Sequence, residues 1–346
     1  MKHTLLAVMA GILSGALALA SMSGSSFAVL FLSWVHPLPL FYAGLALGTR
    51  PALVAAASSV LVLSVVHPHL GAVFGLIFAV PVWVTIRLLL TGPSGAVRSI
   101  PEDQSPRSTE GPETSSTFQD RIIGRVDDWN GEIQGAPRDL GWFPVGHVLA
   151  AQAAIGAAYL LGTSMLTGGH LEHNVTEVLN AFASTVAGAQ GADVLQDAIT
   201  RMVPYFPGLF VGMWMLLGLV LNMVMAQALL AKGGRNIRPT PRFRELTLPD
   251  VLSWALVVCA LLALVSPGEI GYVARNATIA LTIPFFMLGL SVVHKLAGMT
   301  PLPGAILALT YLVMIFTGWL AFLIAGIGIL EQWVGLRKRM DRPDEH

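Results

Sequence analysis

The sequence predicts an all-α, polytopic helical membrane protein with about eight to nine transmembrane helices. Apolar residues make up 54% of the 346-residue chain and charged residues only 12%, about half the usual charged share. Several apolar runs approach or exceed the roughly 20 residues that cross a bilayer core. These runs are continuous rather than alternating, which excludes a transmembrane β-barrel.

A basic loop at residues 232–244 predicts the orientation of the chain. It contains Lys and Arg but no acidic residue, and apolar runs end near Leu230 and resume at Val251. Because Lys and Arg beside membrane spans resist translocation, we expect this loop and the N-terminus to lie in the cytoplasm.

The N-terminal membrane half, residues 1–91, is predicted to hold four spans. They cover residues 5–21, 27–48, 52–66 and 70–90. Pro37 and Pro39 interrupt the second span after His36, because proline removes a backbone donor and obstructs a continuous helix. Pro81 predicts a kink in the fourth span.

Small residues recur every four positions along the first span and form two adjacent faces. One face contains Ala7, Gly11 and Gly15, and the next contains Ala10, Ser14 and Ala18. Such faces allow close helix packing in lipid. Two interpretations stay open: packing against a helix of the same chain, or docking to a partner membrane protein.

Residues 92–141 are polar and predict a largely disordered cytoplasmic linker, since they hold too little apolar surface to offset the cost of ordering. A partner-binding segment is the alternative interpretation.

The C-terminal membrane half, residues 142–346, continues with spans at 142–166, 205–230, 247–265 and 271–296. Residues 172–203 predict an amphipathic helix on the outer surface, with Gly188 to Gly191 as a point where it could break. The last apolar stretch, 302–334, is too long for one upright span and too short for two. A re-entrant pair that breaks near Gly318 and one long tilted helix both fit, so the side of the C-terminus stays open.

No catalytic, nucleotide-binding or metal-binding motif is present, so the sequence predicts neither an enzyme nor a resident metal or cofactor. The net charge of zero argues against nucleic-acid binding. The candidate ligand-binding residues are the polar side chains of the spans and their outer ends: His67, His69, Asn222, Arg275 and Asn276. Arg275 could pair with an anionic group. The alternatives are an interfacial turn for the histidines, helix–helix bonding for the asparagines and snorkelling for Arg275.

Three short motifs occur in order along the C-terminal half: residues 246–250 after the basic loop, residues 288–294, and residues 328–333 followed by the basic residues 337–339. Together they resemble the YybS-like family of uncharacterised bacterial membrane proteins, which implies a bacterial inner-membrane location. The layout of that family is similar to the substrate-binding subunits of energy-coupling-factor vitamin transporters. Those subunits hold a vitamin in an outward cavity and dock through small residues of the first helix, so the resemblance implies membrane subunits or an ATPase module as partners.

The sequence therefore favours a component of the lipid bilayer that binds or transports a small molecule together with partner subunits. The alternative is a scaffold or regulator of envelope processes without transport activity. A membrane enzyme is the least favoured class, because no nucleophile and base occur together.

Overall fold

The computed structural model describes residues 2–22, 27–91 and 144–340. Every regular element within these ranges is helical, which confirms the predicted all-α class. The helices are α1 (Lys2–Ala20), α2 (Phe27–Val35), α3 (Leu38–Leu47), α4 (Thr49–Val66), α5 (Pro68–Phe74), α6 (Val80–Leu89), α7 (Val145–Leu166), α8 (Leu171–Met202), α9 (Phe206–Met213), α10 (Asn222–Lys232), α11 (Asp250–Val265), α12 (Gly268–Gly298), α13 (Pro303–Thr317), α14 (Leu320–Val334) and α15 (Leu336–Met340). Two π-helical segments, π1 (Gly75–Ala79) and π2 (Trp214–Leu221), join α5 to α6 and α9 to α10.

Six helical stretches in the described residues are long and apolar enough to cross a membrane. They are Lys2–Ala20, Thr49–Val66, Pro68–Leu89, Val145–Leu166, Phe206–Lys232 and Gly268–Gly298. Shorter apolar helices lie at Phe31–Leu47, Asp250–Val265, Pro303–Thr317 and Leu320–Val334. The predicted count of eight to nine spans corresponds to the six long stretches, the first two shorter ones and the terminal pair. The predicted linker at 92–141 lies outside the described residues, and the residues on either side of it form one compact unit.

The small residues of α1 pack against α4 of the same chain. Ala7, Gly11, Ser14, Gly15 and Ala18 are buried, and Ala10 is half-buried. A Cβ atom on Gly11 would lie 2.2 Å from the carbonyl oxygen of Ala55, so the two backbones touch. The face that the sequence offered for docking a partner is therefore occupied, and within-chain packing is what the structure shows.

The predicted break in the second span is confirmed, and the fourth span contains a local irregularity before Pro81. His36 and Pro37 form a turn between α2 and α3. In the fourth span the irregularity is π1, just before Pro81, which has no N–H to donate to the carbonyl of Ile77. The π2 segment contains no proline, and the sequence did not predict it.

The basic loop lies at one end of the helix bundle, here called the basic end. Arg238 is buried there, and its guanidinium donates to the carbonyl oxygen of Leu89 at the end of α6, at 2.9 Å. This burial lowers the pKa of Arg238 through desolvation. The direction of each helix places the described Lys and Arg residues at this end, except Arg201 and Arg275 at the opposite end.

The terminal apolar stretch is a pair of 15-residue helices, α13 and α14. They are separated at Gly318, whose φ of +66° suits glycine. The α13 helix begins just after α12 ends at the basic end, and α14 returns there, where the Lys295 ammonium donates to the carbonyl oxygen of Arg337 at 2.9 Å. The structure thus has the re-entrant pair, and places Arg337 at the basic end.

The predicted amphipathic segment is the helix α8, and its backbone is helical throughout, including Gly188 to Gly191. Its start is tied to α12, because the Leu171 N–H donates to Glu269 Oε1 at 3.0 Å. The hydroxyl of Ser164 donates to the same carboxylate oxygen. Glu269 therefore links the ends of α7, α8 and α12.

Candidate functional site

Three buried polar side chains in the interior of the bundle share neighbouring residues: His36, Trp214 and Asn222. Their exposed fractions are 4%, 3% and 1%. The His36 Nδ1, Trp214 Nε1 and Asn222 Oδ1 atoms are three of the six buried side-chain polar atoms that have no hydrogen-bond partner within the described residues. Because buried polar atoms are nearly always bonded, such atoms point to a missing partner. We call these three side chains the core polar centre.

His36 is positioned by the break between α2 and α3. Its carbonyl oxygen accepts a hydrogen bond from the Ser14 hydroxyl at 2.7 Å. Its ring lies edge-on to the ring of Phe78, with centroids 4.4 Å apart, and 5.3 Å from the centroid of Phe74. Apolar rings thus surround the imidazole.

Asn222 joins the two membrane halves at the start of α10. Its Nδ2 group donates to the Trp34 carbonyl oxygen at 2.7 Å, and Trp34 is two residues before His36. The same group donates to the carbonyls of Leu217 and Gly218 within π2. The amide nitrogen is therefore fully used, whereas Oδ1 is left as an acceptor.

Trp214 lies between Phe78, which contacts His36, and Tyr159 of α7. Its ring centroid lies 6.5 Å from that of Phe78 and 6.0 Å from that of Tyr159. The Tyr159 hydroxyl donates to the carbonyl oxygen of Leu76 in π1. The Trp214 indole N–H, in contrast, has no hydrogen-bond acceptor among the described residues.

The two π segments meet at the core polar centre. A Cβ atom on Gly218 of π2 would lie 3.6 Å from Cε1 of Phe78 in π1. Single π turns disturb the regular i→i+4 ladder and often occur at functional sites. Irregular backbone at membrane depth is tolerated where it is buried in protein, and the helix breaks of transporters are of this kind.

The centre lies away from both ends of the bundle. Ser14, which bonds the His36 carbonyl, is well inside α1 (Lys2–Ala20). Polar and ionisable groups at such depth are costly in a membrane protein and are kept for function or for helix association. The unpartnered atoms favour the first of these roles.

Asn276 was predicted as a ligand-binding residue. In the structure its side chain forms hydrogen bonds that connect neighbouring segments. Asn276 is completely buried, and its Oδ1 accepts from the Gly208 N–H at 2.8 Å. Its Nδ2 donates to the carbonyl oxygens of Pro204 and Tyr272 at 3.1 and 2.9 Å. These bonds hold the start of α9 against α12.

Arg275, the neighbouring candidate, lies over an aromatic ring. Its Cζ atom is 5.8 Å from the ring centroid of Tyr205, a cation–π distance. Arg275 is half-buried at the end opposite to the basic end. It is held by Tyr205, next to the Asn276 linkage.

His67 and His69 form the exposed turn between α4 and α5. Their ring centroids are 5.4 Å apart, and the His67 Nδ1 accepts from the His69 N–H at 3.3 Å. No third His, Cys, Asp or Glu completes a metal-binding group with them in the described ranges. Among the described residues, no hydrogen bond, ion pair or ring contact joins them to Arg275.

Of the predicted residues, Asn222 alone belongs to the core polar centre, and the sequence analysis missed His36 and Trp214 as candidates. His36 had a signal: it is a titratable side chain directly before a proline within an apolar span. Trp214 had none, because its role depends on contacts with Phe78 and Tyr159 from distant parts of the chain.

Comparison with known proteins places the C-terminal half in a family. A family model described as predicted membrane protein matches residues 146–331, more than half of the chain. The chain belongs to this family, DUF2232. The family match covers π2, with Trp214, and Asn222, while His36 lies outside it. The description names a membrane protein and no activity.

No curated protein and no solved structure matches the chain.

Proposed function

We propose that this DUF2232 protein binds a small polar molecule at the core polar centre and takes part in its transport together with partner subunits. The observation that carries the proposal is that His36, Trp214 and Asn222, each with an unpartnered buried atom, share neighbours beside two π segments. One atom is a donor, one is an acceptor, and the His36 nitrogen serves as either. A molecule with both donor and acceptor groups would satisfy them.

The same elements provide a route to the site. The three side chains are at least nine-tenths buried, so a ligand reaches them only when neighbouring helices move. The α2–α3 break and the two π segments have irregular backbone bonding, and hinges favour such positions. Access therefore requires a conformational change, as in alternating-access transport.

The predicted likeness to substrate-binding subunits of energy-coupling-factor transporters agrees with this proposal and stays a prediction, as does the YybS-like resemblance. The chain has no Walker A motif, so energy-driven transport would require a separate ATPase. The small face of α1 is occupied by α4, and a partner would contact another surface. The expected location is the bacterial inner membrane with the basic end in the cytoplasm.

Native mass spectrometry of the protein, extracted gently from its own membrane, tests the proposal. We expect the wild-type chain to carry a small molecule and Trp214→Phe to lose it, because the substitution removes the indole N–H together with one ring. Trp254→Phe is the matched control, since Trp254 lies on α11 and is 61% exposed.

A chain without a bound small molecule, found with envelope-assembly proteins, would contradict the proposal and favour the scaffold alternative. Equal retention of the molecule by wild type and Trp214→Phe would place its binding elsewhere.

A further inference from the structure

A second site is indicated on the side of the N-terminal half, on a surface of the bundle formed by α4, α5, π1 and α6. An apolar groove of about 390 Å³ runs between α4 and the α5–π1–α6 segment. Its lining includes Leu53, Ala57, Leu61, Gly75, Val80 and Trp83. The small residues Ala57 and Gly75 form the floor of the groove. At its edges, the exposed fractions of Leu53, Leu61 and Val80 are 52%, 65% and 50%.

The two walls of the groove run antiparallel. A Cβ atom on Gly75 would lie 3.3 Å from the Val60 side chain, and one on Gly71 would lie against Ser64. Later residues of α4 therefore contact earlier residues of the α5–π1–α6 wall, as expected for antiparallel helices. It follows that Leu53 and Trp83 lie at one end of the groove.

Two arginines lie beyond that end. Arg50 is three residues before Leu53 on α4, and Arg87 is four residues after Trp83 on α6, so each shares a helix face with a lining residue. Both are exposed. The Arg87 Cζ atom is 5.5 Å from the Trp83 ring centroid, which holds the guanidinium beside the groove.

The same end of the groove is the basic end of the bundle, because Arg238 bonds the carbonyl of Leu89 just beyond Arg87. From Leu53 to Leu61 the groove extends about 12 Å along α4, most of the roughly 15 Å hydrocarbon depth of one leaflet. An apolar groove of this length with two guanidinium groups at the basic end matches an amphiphile with a long apolar tail and an anionic head.

We infer that this groove binds an acyl chain of an anionic phospholipid, whose phosphate pairs with Arg50 and Arg87. The ligand lies in the leaflet at the basic end. This inference is independent of the proposed small-molecule site, since none of its residues contacts the core polar centre's three side chains through a described hydrogen bond or ring contact.

Lipid titration of the delipidated full-length protein, followed by native mass spectrometry, tests the inference. Phosphatidylglycerol is compared with phosphatidylcholine of the same acyl chains. We expect tighter binding of phosphatidylglycerol, and each of Arg50→Gln and Arg87→Gln to lower its affinity about fivefold. Ala57→Phe fills the groove from an exposed position and should lower binding of that lipid with both arginines intact.

Arg242→Gln is the charge-matched control at the same end, since Arg242 is exposed and paired with Glu245 at 3.2 Å. Equal affinities for the two lipids, or equal losses in Arg242→Gln and Arg87→Gln, would overturn the inference. If Ala57→Phe left phosphatidylglycerol binding intact and released a copurifying membrane protein, the groove would be a helix-docking site instead.

Discussion

The core polar centre and the basic end both bury polar side chains, but they differ in how those side chains are bonded. At the basic end, Arg337 is 9% exposed and forms an ion pair with Glu331 at 2.7 Å. Its guanidinium also donates to the carbonyls of Arg244 and Leu246 and to the Ser291 hydroxyl. The core polar centre is equally buried and leaves three atoms unpartnered. Both regions are buried, and hydrogen bonding is what distinguishes the structural role of Arg337 from the proposed binding role of the core polar centre.

The largest expected effect tests the structural side of this comparison. Arg337→Ala should destabilise the protein by about 3–5 kcal/mol, because it leaves the Glu331 carboxylate buried without its charge partner. Equilibrium unfolding in mixed micelles measures the change. Arg339→Ala is the control, since Arg339 is an exposed neighbour and its loss should change stability little. Similar losses for both variants would mean that Arg337 is not the structural contact described.

An intermediate effect concerns the crossing of α12 and α14, which positions Glu331. A Cβ atom on Gly328 would lie 1.8 Å from the carbonyl oxygen of Phe285. Gly328→Ala should therefore force the helices apart and cost about 1–3 kcal/mol. Gly326, two residues earlier, has open space around its Cβ position, so Gly326→Ala should be neutral or slightly stabilising. Unfolding midpoints of the two variants provide the measurement, and a loss confined to Gly326→Ala would contradict the packing.

The smallest expected effect tests the binding side. Trp214→Phe removes an unpartnered N–H and one ring of a buried indole, so the ligand-free protein should lose only the packing of that ring, about 1 kcal/mol. Asn276→Ala removes three hydrogen bonds and should cost more, about 1–3 kcal/mol. Thermal unfolding of both variants after ligand removal gives the comparison. A larger loss for Trp214→Phe than for Asn276→Ala would show that the core polar centre serves stability.

The sequence predicted the parts of the fold that depend on local chemistry. Pro37 and Pro39 marked the α2–α3 break, Pro81 marked the irregularity at π1, and Gly318 marked the turn of the terminal pair. These residues alter the backbone wherever they occur, through a missing donor or a positive φ.

The roles of the buried polar residues were beyond the sequence because they depend on tertiary contacts. Asn222 and Asn276 are the same residue type in similar apolar spans. Only Asn276 finds a partner for every group, through Gly208 of α9 and Pro204 in the turn before it. Arg337, which the sequence shows only as one of the basic residues at 337–339, is a buried structural residue tied to Glu331 and Leu246.

The terminal helix pair has a consequence for biosynthesis. Each of α13 and α14 has 15 residues and extends about 22 Å, less than the roughly 30 Å hydrocarbon core. Neither helix is long enough to cross the core upright, and we expect the hairpin to insert as a unit against α12, where Gly289 and Gly328 allow close contact. Correct placement of the hairpin would then depend on α12 already being in the membrane.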